Sequence, residues 1–397
     1  MQLLRGKELA TLPLLQDAWL LVKEDVIEDF GLMRDLPASL ESQATTVMDA
    51  AGRSVFPCWC DSHTHLVFAA SREEEFTDKI KGLSYAEIAA KGGGILNSAR
   101  KVQAASEDLL LEQAFKRLKE VIRSGTGAIE VKSGYGLTVE AELKMLRVIK
   151  RLKAISPIPV KATFLGAHAI PPEFKENREG YIMQIIEDML PAIAAEELAD
   201  YIDVFCEQGF FTVEETHRIV KAGQAIGLKA KIHANQLSVS GGVEAGVALG
   251  ALSVDHLESM NEQAIQTLAQ STTIGTLLPT AAYFLRMPYQ PARALIEAGV
   301  AVALASDFNP GSSPSGNMNT VVSMSCIQLR MLPEEAINAA TINGAYAMEL
   351  ENIVGVIKRG YKANFFFTSE IPSIAYFPYA FGSNLVDTVF INGKIFT

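Results

Sequence analysis

The middle of the chain alternates two kinds of hydrophobic pattern. Short apolar runs, each closing on a polar residue, are followed by amphipathic stretches with apolar positions three and four apart, and the pair recurs about every 30–40 residues. Eight runs read as strands: SVFPCWCDSHTH, TGAIEVKSGYG, VKATFLGAHAI, YIDVFCEQGFF, KAKIHANQ, LSVDHLES, TIGTLLPT and VAVALASDFNP. Stretches such as TVEAELKMLRVIKRLKA and PARALIEAG between them read as helices. Eight such units predict an α/β chain folded as a (β/α)8 TIM barrel. The ends of the chain differ. Before residue 55 stand strand-like runs such as AWLLVKED and TTVMDAAGRSVF; after residue 357 stand YKANFFFTS and VDTVFINGKIFT, the last with an Asn-Gly hairpin turn.

The polar residues fall where a barrel of this kind places its active site, at the C-terminal ends of the strands. Strand 1 ends in His63 and His65, strand 2 in Lys132 and Tyr135, and strand 3 in His168. Strand 4 ends near Glu207, strand 5 in His233 and Gln236, strand 6 in His256, and strand 8 in Asp307. Five of the six histidines lie at this rim, which scatter would not produce. His63 and His65 are two apart on a strand and so face one point. Three neutral imidazoles and a carboxylate suit a zinc or iron ion with a position left for water, and His63, His65, His233 and Asp307 form that set. Such an ion makes a hydroxide nucleophile available near neutral pH. Asp307 is then placed to carry a proton, and His256 and His168 to polarise a carbonyl or hold the water.

Other residues are weighed against plainer roles. His217 sits on a polar helix face and reads as structural. Lys132 raises the possibility of a carbamylated lysine bridging two metals, but it lies on strand 2, where hydrolases using that device carry it on strand 4, so one metal is expected. Glu207 reads as a second-site ligand or a rim salt bridge. Arg72, in AASREEEF, is either a surface ion pair or a fork for a substrate carboxylate. The loop FNPGSSPSGN after Asp307 offers backbone N–H groups to a polar substrate edge, and GGGIL at 92–96 suggests a flexible substrate loop.

Composition narrows the partners. The chain has 397 residues, 49% hydrophobic and 20% charged, enough for one large domain with additions. A net charge of −11 argues against nucleic acid or an anionic membrane surface, while leaving room for a small anion at one arginine. The N-terminal stretch reads as no signal peptide, and the charge-free segments 263–285 and 308–329 are too polar to span a membrane. Cys58, Cys60, Cys206 and Cys326 show no disulfide or zinc-ribbon spacing, so a reducing cytoplasm is expected.

Taken together, these residues resemble the amidohydrolase superfamily, with HxH on strand 1, histidines on strands 5 and 6 and aspartate on strand 8. Within it the chain resembles the imidazolonepropionase family along almost its whole length. The stretches HTHLVFAASREEEF, KGGGILNSARK, IEVKSGYGLTVEAELKMLRVIKRL, FLGAHAIPPEF, KIHANQLS, GALSVDHLE and LASDFNPGSSPSGNM carry the likeness. The resemblance implies hydrolysis of the cyclic amide bond of 4-imidazolone-5-propanoate to N-formimidoyl-L-glutamate, the third step of histidine degradation, by a metal-bound hydroxide. It implies one divalent or trivalent ion per subunit, zinc or iron, on His63, His65, His233 and Asp307. Substrate contacts carry over to Arg72, Tyr135, His168, Gln236, Asn309, Gly311 and Ser312. It also implies a homodimer, and a β-sandwich formed jointly by residues 1–55 and 357–397 beside a barrel of 56–356.

Three positions depart from the family pattern. Cys58 replaces a usual glycine before the HxH, FAAS replaces FAGS, and Gln236 stands where some relatives carry a glutamate able to shuttle a proton. Either Asp307 or His256 is then the general base. The amide at Gln236 also counts against a ring deaminase of the same superfamily, and the absence of a lysine from YIDVFCEQGFF counts against a two-metal, hydantoinase-like enzyme. A catalytically silent barrel would need some other reason for so complete a ligand set.

Overall fold

The computed structural model describes residues 2–83, 87 and 93–397. Gly92, the first residue of the suggested glycine loop, lies outside the described residues; the rest of that segment enters the helix Ile95–Ala104. Among the described residues, no helix is long and apolar enough to cross a membrane.

Eight parallel strands form the barrel in sequential order: β4 (Trp59–Thr64), β5 (Thr126–Lys132), β6 (Val160–Ala167), β7 (Tyr201–Cys206), β8 (Lys229–Ala234), β9 (Ser253–His256), β10 (Ile274–Leu277) and β11 (Val302–Leu304). The ring closes just beyond β11, where His65 N–H donates to Phe308 O (2.9 Å) and Asp307 N–H to His63 O (3.0 Å). Asp61 reinforces the seam by accepting from Ser306 N–H (3.0 Å) and Ser306 Oγ (2.5 Å). The strands are buried on both faces, as parallel strands covered by helices must be.

The helix Val139–Ile155 shows how the outer layer is written. Thr138 caps it by accepting from Ala141 N–H, and Leu143, Met145, Leu146, Val148, Ile149 and Leu152 are buried on its inner side. That amphipathic face and the Glu142 it carries place the β5 loop, described below.

The termini build two antiparallel sheets beside the barrel. One is the hairpin β1 (Ala18–Lys23) and β2 (Val26–Leu32). The other has the order β14-β13-β12-β3, from β3 (Arg53–Pro57), β12 (Phe365–Glu370), β13 (Val386–Ile391) and β14 (Lys394–Ile395). Ile27, Ala363, Phe365, Phe367 and Phe390 form the apolar cluster between the two sheets. The Asn392-Gly393 turn has positive φ at both residues (50° and 74°), as a two-residue hairpin of this twist requires. The segment before β1 packs differently: Leu9 is part of the main barrel core, and Asn338 Nδ2 donates to Leu9 O (2.8 Å).

The first strand-like run of the sequence divides between these bodies. β3 pairs with β12 in the terminal sheet, and β4 pairs with β5 in the barrel. Cys58 is the buried joint. Its side chain is accommodated because Gly127 on β5 faces it, where a Cβ would collide with the Cys58 Cβ. All four cysteines are free.

Candidate active site

Five imidazoles gather at the C-terminal mouth of the barrel, and His217 lies on the helix Val213–Ala225. Ring centroids lie 4.5 Å apart for His63–His233, 5.4 Å for His63–His65, 5.4 Å for His65–His168, 5.5 Å for His63–His256 and 5.1 Å for His233–His256. The backbone that aims them is unusual. Asn235, His256, Leu257 and Asp307, at the ends of β8, β9 and β11, all have positive φ (53°, 88°, 68° and 51°). Conformations of this kind in non-glycine residues persist where the surroundings over-determine them, as at active sites.

Burial, and then neighbouring positive charge, holds three of these rings below the usual histidine range. Burial and Lys132 hold His63 well below the usual histidine range; burial and His168 do the same for His65. His168 is pushed down to about 3, by burial first and His233 second. Asp307 is shifted the other way: burial raises its carboxyl, with His256, His233, Asn309 and Ser312 offsetting part of the rise.

Whether the cluster suits a metal ion can be judged from its donor atoms. Asp307 Oδ1 lies 3.5 Å from His63 Nε2 and 3.6 Å from His65 Nε2. Two ligands at tetrahedral zinc distances stand about 3.3 Å apart, so these three atoms need little adjustment to share one ion. His63 Nε2 and His233 Nε2 are buried with no hydrogen-bond partner, a costly arrangement that a metal would relieve. The potential ligand atoms fall into two overlapping triads, His63–His65–Asp307 and His63–His233–His256, which share His63. His256 thus stands as close to the donor cluster as the expected ligands do. The donor set fits a divalent ion.

Behind the imidazoles lies a charged layer where a barrel of this type is ordinarily filled by branched apolar side chains. His63 Nδ1 is 2.7 Å from Asp255 Oδ2, and His233 Nδ1 is 2.9 Å from Asp203 Oδ2. His65 Nδ1 faces Ser133 O at 3.4 Å. Each Nδ1 is thereby turned inward and each Nε2 left toward the mouth, the outer-shell arrangement that orients metal-binding histidines. Lys132 is fully buried among these carboxylates, with Nζ 2.6 Å from Glu130 Oε1, 2.8 Å from Asp203 Oδ2 and 3.6 Å from Asp255 Oδ2. Lys231 pairs with the other oxygen of Glu130. Burial alone would lower the Lys132 amine, but Asp203, Glu130 and Asp255 hold it protonated. Lys132 was expected at the rim; the structure places it behind the histidines as an ammonium ion, not as a bridge between metals.

Glu207 is buried just after β7. It accepts from Gln208 N–H (2.8 Å), Leu237 N–H (2.9 Å) and the Ser238 hydroxyl, and so ties down the loop after β8; among the described residues it forms no salt bridge. Gln236 is buried on that loop.

The residues expected to meet substrate surround the imidazoles. Tyr135 is buried, its ring centroid 5.6 Å from His65 and 5.5 Å from His168. Burial first, and Asp307 second, raise its phenol, so it remains a donor. The loop carrying it wraps around Glu142, whose carboxylate accepts from Gly134 N–H (3.0 Å), Gly136 N–H (2.6 Å) and Leu137 N–H (3.0 Å). Gly134 has φ +104°, and a Cβ there would sit 2.9 Å from His168 Nδ1, so glycine is required twice over. His168 Nδ1 donates to Gly134 O (3.0 Å), which leaves Nε2 as an acceptor in the neutral ring. Beyond Asp307, Asn309 Oδ1 accepts from Gly311 N–H (2.7 Å) and Ser312 N–H (2.8 Å), while its Nδ2 donates to Asp307 O and Ser312 Oγ (both 2.7 Å). The Asn309 side chain is therefore occupied in shaping the turn that presents Gly311 and Ser312. Ser312 Oγ also donates to Asp307 Oδ2 (3.2 Å). Arg72, at the start of the helix Glu73–Ile80, lies against Gly311, where a Cβ would collide with its Nη1.

Asp203, Asp255, Glu130, Lys231, Glu142 and Glu258 went unread as site residues. For Asp203, Asp255, Glu130 and Lys231 the available signal was a charge inside an otherwise apolar strand run, since a strand buried on both faces holds a charge only where a partner meets it; Glu142, on a helix, and Glu258, beyond the end of β9, carried no such signal.

Residues 54–396 match the family model described as the amidohydrolase family. An imidazolonepropionase of Flavobacterium johnsoniae is 57% identical over 390 residues, covering 98% of this chain and 94% of that protein. One from Christiangramia forsetii is 55% identical with the same coverage. One from Thermoanaerobacter pseudethanolicus is 41% identical over 97% of this chain and 91% of its own length. Among solved structures, a 5-methylcytosine deaminase from Klebsiella pneumoniae liganded with phosphonocytosine superposes with a TM-score of 0.74 at 16% identity, over 95% of this chain and 93% of that one. An adenosine deaminase from Xanthomonas campestris with bound zinc gives 0.68 at 16% identity, over 96% and 88%. The structural likeness establishes the shared fold.

Proposed function

The chain belongs to the imidazolonepropionase family of the amidohydrolases, and we propose that its strand-end cluster performs the reaction of that family, hydrolytic opening of the 4-imidazolone-5-propanoate ring to N-formimidoyl-L-glutamate in histidine degradation. The observation that carries the reading is the cluster of buried imidazoles around Asp307, with Arg72 beside the loop that follows it. His63, His65, His233 and Asp307 would hold one divalent ion, zinc or iron. When bound, the ion lowers the pKa of a water toward neutrality and polarises a carbonyl.

The remaining chemistry falls to side chains. Arg72 pairs with the propanoate carboxylate and sets the ring over the imidazoles. Tyr135 donates a hydrogen bond to the ring, and His168 Nε2 accepts one from a ring N–H. Asp307, its carboxyl raised by burial, takes the proton released as water oxygen bonds to the ring carbonyl carbon. His256 then gives a proton to the ring nitrogen as the C–N bond breaks. Glu258, with Oε1 3.5 Å from His256 Nδ1, supports that charge: burial lowers the imidazole, while Glu258 and Asp307 outweigh it and raise it. Gln236 carries no proton in this scheme, consistent with its amide. A homodimer and a cytoplasmic location belong to the same reading, the latter supported by four unpaired cysteines.

The test is direct. Given 4-imidazolone-5-propanoate made in situ from urocanate by a separate urocanase, the metal-loaded protein should release N-formimidoyl-L-glutamate well above the spontaneous background. No product beyond background would overturn the assignment.

A further inference from the structure

Arg72 does not face the substrate loop unaccompanied. Glu75, one turn along the same helix and buried, accepts on Oε2 from Arg72 Nε (2.8 Å) and Nη2 (2.6 Å). Its other oxygen, Oε1, accepts from Gly94 N–H (3.0 Å) and Asn97 Nδ2 (3.4 Å) at the start of the helix Ile95–Ala104. Burial alone would raise the Glu75 carboxyl; Arg72, Gly94 and Asn97 outweigh it and keep the group charged.

A carboxylate on an arginine assigned to an anionic substrate partly cancels the charge that attracts the anion, so attraction alone does not account for it. Geometry does. A guanidinium has five N–H donors in a rigid plane and can offer a carboxylate either its side edge (Nε with one terminal nitrogen) or its end (both terminal nitrogens). Glu75 occupies the side edge. The end remains, and its Nη1 lies against Gly311 in the loop after Asp307. A flexible side chain with one edge occupied and the opposite nitrogen seated on a glycine has a single way to meet a ligand.

We infer that Glu75 is a positioning residue that commits the end of Arg72 to the substrate carboxylate, and that through Gly94 and Asn97 it ties this subsite to the seating of the helix Ile95–Ala104. The inference rests on the reading of Arg72 as the propanoate site. It makes Glu75 a determinant of specificity for a carboxylated ring over the same ring with a neutral tail.

The experiment compares binding of 3-(imidazol-4-yl)propanoate and 4-ethylimidazole by calorimetry, and KM and kcat for the imidazolone substrate, in the wild type, Glu75→Ala, Glu75→Gln, Arg72→Ala and the Arg72→Ala/Glu75→Ala double variant. Glu75→Gln keeps the shape and an oxygen for Gly94, so it answers the question if Glu75→Ala folds poorly. The expected result is a rise of tenfold or more in KM and in the Kd of the propanoate for either Glu75 variant. The larger part of the effect should fall on KM rather than kcat, and the preference for propanoate over the ethyl ligand should shrink. In the Arg72→Ala background the Glu75 change should add less than twofold. Tighter or unchanged propanoate binding in the Glu75 variants would overturn the inference, showing Glu75 to be a competing anion or a bystander. Wild-type turnover with unchanged Glu75 variants defeats this inference alone. A wild type that neither turns over the imidazolone nor prefers the propanoate defeats the functional reading beneath it.

Discussion

A buried imidazole whose Nδ1–H is held by a carboxylate has one direction left for its other nitrogen, and that constraint decides how the site residues behave when altered. Asp255→Asn should leave the fold standing but loosen metal binding by about 10–100-fold, because His63 loses its orienting acceptor. Competition with a chromophoric chelator reads this directly, and unchanged affinity would show the backing to be incidental. Arg72→Ala should separate from this. Loss of a charge-assisted pair of about 2–3 kcal/mol predicts kcat/KM down roughly 30–150-fold with metal content intact; parallel loss of metal and activity would make Arg72 structural. At this scale the histidines were legible in the sequence because few residue types bind metals and their strand-end spacing is distinctive. Asp203 and Asp255 were not, since a carboxylate is common and its importance here comes from partners 71 or 192 residues away, as in Lys132–Asp203 and His63–Asp255.

Elements carry the next level of constraint. The loop after β5 has no regular structure of its own, yet it places Tyr135 and Gly134 by closing around one carboxylate. Glu142→Ala leaves three backbone donors without their acceptor, and about 1–3 kcal/mol of stability should be lost for a buried group so exposed. The urea midpoint should fall, and activity with it, while the metal stays; an unshifted midpoint would mean water replaces the carboxylate at no cost. Element types were readable throughout the barrel, since strands buried on both faces and helices with one apolar face leave distinct patterns. What the pattern could not hold was pairing. Arg53–Pro57 and Trp59–Thr64 read as one apolar run but join different sheets, because periodicity reports which residues are buried and not which strand lies alongside. Lys132 failed for a related reason: position at the end of a strand does not say whether a long side chain turns to the mouth or back into the barrel.

For the whole molecule, the metal site and the fold are thermodynamically linked. An ion that binds only the folded chain stabilises it by about 4 kcal/mol at a concentration a thousand times its dissociation constant. Chelation should therefore lower the thermal midpoint without unfolding the protein, whose core does not pass through the ligands. The stripped protein should also be acid-sensitive in a defined direction. His63 and His65 are held well below the ordinary histidine range, and His168 near 3, so the unfolded chain binds more protons than the folded one below about pH 6.5. Stability is then present above that pH and lost as pH falls through the window down to the folded values. Chemical denaturation of the stripped protein at pH 5 and pH 8 checks this, and equal stability at both would contradict neutral, buried imidazoles.

One ion at this cluster should suffice to open the imidazolone ring. Metal-stripped protein titrated with zinc or ferrous ion, with N-formimidoyl-L-glutamate formation measured at each addition, tests it most directly. Activity should rise from background in proportion to added metal and level at one ion per chain. A rise that continues to two ions, or an absence of product at any loading, would contradict it.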